Sequence, residues 1–285
     1  MANQISLTSG MRNNLLSLQG TSTLIDQTQT RLSTGKKVNT PLDNPTNYFA
    51  AQSHMQRADD LAARKDGMSE AIQMVKAADA GIKAITSLIE SAKGVAQAAL
   101  ASGSSTDRAA YAETFDTLMT QITQLASDSG YRGTNFLTGG KQTVEFSQAT
   151  GTSTLGISGF NATATGLSIK TVSTDADSNQ WAVKGTDITE TQTKNIQSSA
   201  SQLEGALNTL RSESSKLSSN MSVVTTRQDF TSSMINELKT GADNLTLADM
   251  NEEGANMLML QTRQNLGITS LSMASQAAQA VMRLF

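Results

Sequence analysis

The chain contains no cysteine and only one histidine among its 285 residues. Without cysteine there can be no disulfide scaffold, no thiolate nucleophile and no cysteine-based metal site. The single histidine stands in no HExxH pattern, and no nucleophile–base pair is recognisable in the sequence. The sequence therefore indicates neither catalytic residues nor a metal or cofactor site, and we expect a protein that is not an enzyme.

Aromatic residues are also scarce, at 4% of the chain, whereas hydrophobic residues make up 38%. The interior must then be built mainly from Leu, Ile, Val, Met and Ala, which suits long helices lying side by side. The net charge is −3, and the chain has no long basic run of the kind that binds nucleic acid. No apolar run approaches eighteen residues, so we expect no membrane insertion.

The amino terminus has no basic segment followed by an apolar core. That pattern is the mark of a standard secretory signal peptide. If the protein acts outside the cell, we expect it to be exported without a cleaved signal peptide.

Apolar residues recur at alternating steps of three and four along most of the chain, which predicts long amphipathic helices in coiled-coil packing. Three such series occupy residues 78–99, 111–125 and 203–238. Two more occupy the ends: Leu15, Leu18, Ser22, Ile25, Gln29 and Leu32 near the amino terminus, and Met257, Leu260, Gln264, Gly267, Leu271, Ala274, Ala278, Val281 and Phe285 at the carboxyl terminus.

The helical pattern is interrupted twice. Pro41 and Pro45 are the only prolines, and they predict a boundary followed by a helix that starts near Pro45. From residue 141 to about 173 the spacing changes to two, which predicts strands and a hairpin; the residues concerned are Val144, Phe146, Leu155, Ile157, Leu167 and Ile169. Helix should resume near Ile196. The predicted fold is mainly α, with long helices in a coiled-coil bundle and a small β-hairpin insert.

Trp181, the only tryptophan, lies in the polar connector after the insert. It could anchor the insert on the helices or mark a contact between subunits, and the sequence does not decide between these roles.

The two ends of the chain carry very little charge. Residues 1–30 contain only Arg12 and Asp26, and residues 254–285 contain only Arg263 and Arg283. A helix with so little charge should be buried on most sides. Burying one seam contributes about 1.5–3 kcal/mol per large side chain, whereas ordering the backbone costs about 1–2 kcal/mol per residue. We therefore hypothesise that the terminal helices become fully ordered only among several copies of the chain.

Two separated motifs resemble those of bacterial flagellins. The first is Arg31-Leu32-Ser33-Thr34-Gly35 with Asn39 and Asp43, which is similar to the amino-terminal signature of that family. The second resembles the family's closing segment, and comprises Ala248, Asp249, Glu253, Asn256, Met257, Gln261, Gly267 and Leu271. The resemblance covers roughly residues 1–140 and 195–285, with the two motifs in the right order at the right ends.

The resemblance implies a structural subunit of the flagellar filament that acts in swimming motility. Residues 1–40 and 250–285 would form a terminal helical polymerisation domain in the inner core of the filament, with Leu15, Leu18, Ile25, Leu32, Met257, Leu260, Leu271, Val281 and Phe285 as its assembly residues. Residues 41–140 and 191–249 would form an outer helical bundle, and residues 141–190 a short hairpin insert and connector. The chain thus resembles a short form of the family, without large outer variable domains.

The resemblance also implies partners and a location. The chain would polymerise with copies of itself outside the cell, after handling by an export chaperone and the export apparatus, and would meet hook–filament junction and cap proteins. Flagellins that activate the Toll-like flagellin receptor carry an Arg-Glu-Leu motif ahead of a Gln. The matching positions here are Ala92, Lys93 and Gly94, ahead of Gln97. Recognition by this innate immune receptor is therefore doubtful, and we predict weak or absent activation.

Two alternative functions remain open at this stage. A hook–filament junction protein shares the terminal architecture, but it should cap or adapt and should not elongate. A secreted coiled-coil effector or adhesin should tolerate deletion of its ends. The closing motif, which continues to Phe285, favours flagellin.

Overall fold

A computed structural model describes residues 9–147, 153–172 and 179–282. The described residues form five helices and one two-stranded sheet, which confirms a mainly α fold with a small β-hairpin. In chain order the elements are α1 (Ser9–Thr34), α2 (Pro45–Ala101), α3 (Ser105–Asp128), β1 (Lys141–Glu145), β2 (Thr154–Ser158), α4 (Glu190–Thr246) and α5 (Met250–Met282). Among the described residues, no helix has both the length and the hydropathy that a bilayer-spanning segment needs.

Side-chain caps explain where most of the helices begin. The Oδ1 of Asn44 accepts a hydrogen bond from the Asn47 N–H at 3.0 Å, and Pro45 occupies the first helical position of α2. This confirms the predicted start of that helix. The Oγ of Ser104 caps α3 by accepting from the Asp107 N–H, and the Oδ1 of Asp249 caps α5.

Helix α4 begins at Glu190, earlier than the predicted start near Ile196. Thr189 and Gln192 form a reciprocal capping pair. The Gln192 N–H donates to the Thr189 Oγ1 at 3.3 Å, and the Thr189 N–H donates to the Gln192 Oε1 at 3.0 Å. This is a capping box, whose Thr-x-x-Gln signature was readable in the sequence.

The chain divides into two compact units. The first comprises Met1–Ala58 with Asn236–Phe285, and the second comprises Asp59–Ile235. Helices α2 and α4 contribute residues to both units. The domain boundaries that we placed from the sequence, between residues 40 and 41 and between residues 249 and 250, instead fall where α1 gives way to α2 and α4 gives way to α5.

The second unit holds a continuous hydrophobic core. Its α2 face is the predicted series, since Ala78, Ile82, Ile85, Ile89 and Ala92 are all buried. Helix α4 contributes Leu217 and Val224 of its own predicted series to this core, and Thr231 and Ile235 of the same series are buried further along the helix. In α3, Phe115 and Ile122 are buried as predicted, whereas the alternate buried positions, Ala112, Met119 and Ala126, each lie one residue after the predicted ones.

The β insert is an antiparallel pair in which Lys141 lies opposite Ser158 and Glu145 lies opposite Thr154. Val144 and Ile157 are buried in the core, as the alternating pattern predicts. The prediction of strand was wrong for Leu167 and Ile169. Both are buried, but they belong to a turn in which Ser168 has φ +60° and the Ile169 N–H donates to the Ala164 carbonyl at 2.9 Å. A turn can therefore bury two residues with the same spacing as a strand.

Trp181 anchors the connector on the helices of the second unit. Its side chain is fully buried, its Nε1 donates to the Ser199 Oγ at 3.2 Å, and its ring lies 4.8 Å from that of Phe115 between centroids. The structure therefore favours the first of the two roles that the sequence left open.

Candidate assembly interface

Helices α1 and α5 of the first unit pack against each other in antiparallel orientation. Near one end, the Arg31 Nη1 lies 3.0 Å from the Glu253 Oε1. Near the other, the Asn14 Nδ2 donates to the Gly267 carbonyl at 3.4 Å. Leu18 packs so closely over Gly267 that a Cβ there would lie 2.6 Å from the Leu18 Cδ2. Gly267 therefore sets the close approach of the two helices.

The packed side of α1 follows a heptad pattern. Leu18, Ile25 and Leu32 are half-buried at predicted seam positions. The alternate seam positions are Met11, Thr21 and Thr28, which are buried, with Asn14 half-buried. The other predicted seam residues, Leu15, Ser22 and Gln29, are exposed. The sequence pattern misplaced these alternate positions by one residue, because a threonine can face a partner helix while its hydroxyl bonds to its own helix, as the Thr21 Oγ1 does to the Ser17 carbonyl.

The packed side of α5 coincides with the predicted series. Glu253 and Leu260 are buried, and Met257, Gln264, Gly267, Leu271 and Ala274 are half-buried. The side chains of Ala278 and Val281, and the whole of Phe285, lie outside the described residues.

A second apolar surface of α5 faces solvent. Met259, Leu266 and Met273 are seven residues apart, so they share one stripe of the helix, and each is exposed by 59–67%. Leu258 and Ile268 are also exposed on α5, as are Leu15, Leu16 and Leu24 on α1. We call these eight side chains the outward apolar residues.

Exposed large hydrophobic side chains are concentrated in the first unit. Among the described residues, thirteen of them belong to this unit and four to the second, although the second unit is the larger. An exposed apolar surface of this kind marks an interaction site. The structure thus pairs α1 with α5 along one seam, and it leaves one apolar stripe of α5 and three leucines of α1 exposed.

The two sequence motifs meet where α1 ends. Gly35 has φ +70° and its N–H donates to the Arg31 carbonyl at 2.8 Å, which is a left-handed helix end that favours glycine. The Gly35 carbonyl accepts from the Ala248 N–H at 3.0 Å, and the Thr246 carbonyl accepts from the Lys37 N–H at 2.7 Å. The backbone of the first motif is therefore bonded directly to that of the second.

Side chains of the motifs stabilise this junction. The Glu253 carboxylate is nearly buried and is neutralised by Arg31. The Asp43 Oδ2 accepts hydrogen bonds from the N–H groups of Thr40 and Asn39, and these bonds hold the pKa of Asp43 below its ordinary value of 3.8. The Asn39 Nδ2 donates to the Lys36 carbonyl.

The remaining motif residues are more exposed than Glu253. Ser33 is exposed, and Leu32 and Asn256 are half-buried. No cluster of side chains that could hold a metal occurs among the described residues.

Of the eight outward apolar residues, sequence reasoning predicted an assembly role only for Leu15, which it placed on the seam, and it missed the other seven. It followed the seam, and these residues lie off the seam. The run Met257-Leu258-Met259-Leu260 is the signal that could have revealed them. Four consecutive residues point all around a helix, so if Met257 and Leu260 face α1, then Leu258 and Met259 must face elsewhere.

Comparison with known proteins identifies the family. The model of the bacterial flagellin N-terminal helical region matches residues 5–143, and that of the bacterial flagellin C-terminal helical region matches residues 200–285. Together these matches contain both motifs and both terminal helices.

Similar proteins match over nearly the whole chain. Flagellin FljK of Caulobacter vibrioides is 29% identical and flagellin FljM of the same organism is 27% identical, and each alignment covers 99% of this chain and 98% of the relative. A flagellin of Brucella melitensis is 25% identical over 95% of both chains. These findings favour neither a hook–filament junction protein nor an effector or adhesin. The chain belongs to the bacterial flagellin family, and it is a non-enzymatic structural subunit that polymerises into the extracellular flagellar filament and serves motility.

Proposed function

We propose that the terminal helices α1 and α5 carry the contacts that hold this subunit in the filament. The observation that supports the proposal is the apolar surface of both helices that the chain itself leaves exposed. Residues 1–40 and 250–285 then act as the polymerisation domain in the inner core. Residues 41–140 and 191–249 form the outer helical layer, and residues 141–190 form a short insert and connector.

The predicted assembly residues divide into two groups under this proposal. Leu18, Ile25, Leu32, Leu260 and Leu271 hold α1 against α5 within one subunit, together with Met257. Leu15 belongs with the outward apolar residues, which contact neighbouring copies. Val281 and Phe285 complete the carboxyl end of the same interface.

Energetics support burial among copies. Each large apolar side chain contributes about 1.5–3 kcal/mol when it is fully buried, and association costs about 4–15 kcal/mol in lost freedom. One exposed leucine cannot offset that cost, but several on the same two helices can. Contacts that join unlike surfaces and do not close into a ring generate an open helical polymer, as a filament requires.

The proposal is tested by removing the outward surface while leaving the α1–α5 seam intact. M259S/L266S/M273S should remain monomeric when heat-dissociated protein is cooled with filament seeds and viewed by electron microscopy. A chain lacking residues 260–285 should also fail to elongate. The matched control M259L/L266M/M273L keeps the apolar surface and should form filaments. Normal elongation by the serine variant would refute the proposal.

We also propose that an export chaperone covers the outward surface of α5 before assembly. Met259 and Met273 support this idea, because flexible methionine side chains adapt to different partners. The export apparatus and the hook–filament junction and cap proteins complete the proposed set of partners.

Weak or absent activation of the innate immune receptor remains our proposal. Ala92 is buried, and the Lys93 Nζ donates to the Glu204 Oε1 at 2.7 Å. This hydrogen bond lowers the pKa of Glu204. The Lys93 ammonium group is therefore bonded to another residue of the same chain. The arginine of the motif that the receptor recognises is replaced by the buried Ala92.

A further inference from the structure

The turn between α1 and α2 presents a leucine to solvent. Leu42 is 94% exposed, which is the highest value for a large hydrophobic side chain among the described residues. It occupies the third position of a turn that starts at Thr40, has Pro41 in second place and is closed by a hydrogen bond of 3.1 Å from the Asp43 N–H to the Thr40 carbonyl. Folding of the chain gains almost nothing from the apolar surface of this leucine.

The turn is nevertheless firmly built. The Asp43 Oδ2 accepts three hydrogen bonds, from the Asn39 N–H at 3.0 Å, the Thr40 N–H at 2.9 Å and the Thr40 Oγ1 at 3.1 Å. The proline fixes one backbone angle. At the base of the turn, Val38 is 5% exposed and its N–H donates to the Thr246 carbonyl at 3.3 Å. The conformation that exposes Leu42 is thus specified by side-chain and backbone bonds.

We propose that Leu42 is an assembly anchor that inserts into an apolar recess of an adjacent copy of this chain. A second copy is the occupant we infer, because the chain is a self-polymerising subunit and its exposed hydrophobic side chains are concentrated in the unit that carries Leu42. Leu247, which is 46% exposed, lines the same cleft as Asp43, the residue that follows Leu42. A turn that is already ordered loses little freedom on docking.

The first test is the critical concentration for filament growth. L42S should raise it by about tenfold or more, because burial of a leucine contributes about 1.5–3 kcal/mol and each 1.4 kcal/mol is a factor of ten. The melting temperature of monomeric L42S should equal that of the wild type, since the side chain is already in water. L42M keeps an apolar side chain and should polymerise almost normally.

The second test uses the absence of cysteine from the chain. L42C offers a single thiol, which should react rapidly with a maleimide in the monomer. It should be at least tenfold slower in filaments and recover its reactivity when the filaments are dissociated by heat.

Equal thiol reactivity in the two states, or a wild-type critical concentration for L42S, would overturn the proposal. If L42S elongated normally but bound the export chaperone less tightly, the anchor would instead serve that partner. The inference rests on self-polymerisation and not on the terminal-helix proposal. Loss of growth in M259S/L266S/M273S with normal growth in L42S would remove only the role of Leu42.

Discussion

Two charged side chains, Glu253 and Arg108, are buried among the described residues, and they use different partners. Glu253 pairs with Arg31 across α1 and α5. Arg108 donates to the Ser102 carbonyl at 2.9 Å and to the Thr193 Oγ1 at 3.1 Å. Removal of one partner from a buried ion pair leaves an uncompensated charge. Loss of Arg31 would therefore leave the buried Glu253 carboxylate without its cation.

Asp116 gives a test of electrostatics at a single residue. Burial raises its pKa, against the opposing effect of the hydrogen bond that the Val172 N–H donates to its Oδ1 at 2.7 Å. The folded chain therefore binds this proton more tightly than the unfolded chain does. The stabilisation is complete below the ordinary pKa of 3.8 and is lost as the pH rises through the folded pKa.

We expect D116N to melt at a higher temperature than the wild-type monomer at pH 7, because it removes a partly buried charge but keeps an oxygen for Val172. Near pH 3 the two melting temperatures should converge. D116A is the control: it lacks the acceptor and should be less stable at both pH values. A wild-type monomer more stable than D116N at pH 7 would contradict this reading.

At the residue scale the sequence predicted some side chains well and others poorly. Leu18, Ile25 and Leu32 lie on the seam as predicted, whereas Leu15 does not. Hydrophobicity selects Leu15 over Asn14 for the seam. The structure instead places Asn14 there, because Leu18 packs closely over Gly267 and the Asn14 side chain donates to the Gly267 carbonyl. The exposure of Leu42 likewise depends on hydrogen bonds of Asp43 that periodicity does not show.

At the scale of elements, the contact between α1 and α5 depends on the absence of a side chain at Gly267. G267V should force Leu18 away and destabilise the helix pair by about 1–3 kcal/mol, the usual cost of overpacking. The measurement is a melting curve of the monomer followed by circular dichroism.

Two further variants check the cause. G254V lies in the same helix but faces open space, so it should show only the change in helix propensity. L18A/G267V should recover part of the lost stability, because the alanine makes room for the valine. Equal destabilisation by G254V and G267V would show that the close contact is not responsible.

Helices were the most predictable elements because heptad spacing persists over many turns, as in α2 and α4. The start of α4 was missed since apolar periodicity is absent from its first turn, although the Thr189–Gln192 capping box was present. Leu167 and Ile169 were taken for strand because a two-residue spacing does not distinguish a strand from a turn with a left-handed residue.

At the scale of the whole molecule, charge and exposed apolar surface are distributed unevenly between the two units. The ends are almost free of charge and pair with each other along one seam, which leaves Leu16, Leu258 and Leu266 in solvent. The second unit instead buries its apolar residues in a core of its own. Under our proposal, the apolar side chains that the first unit leaves exposed are the ones that neighbouring copies cover.

The central claim is that polymerisation buries the terminal helices, and amide hydrogen exchange tests it most directly. Exchange should be measured by peptide in the monomer and in the filament of the same protein. We predict that residues 9–34 and 250–282 exchange faster than the core of residues 78–126 in the monomer and become comparably protected in the filament. Terminal helices that are already as protected in the monomer, and gain nothing on polymerisation, would contradict the account.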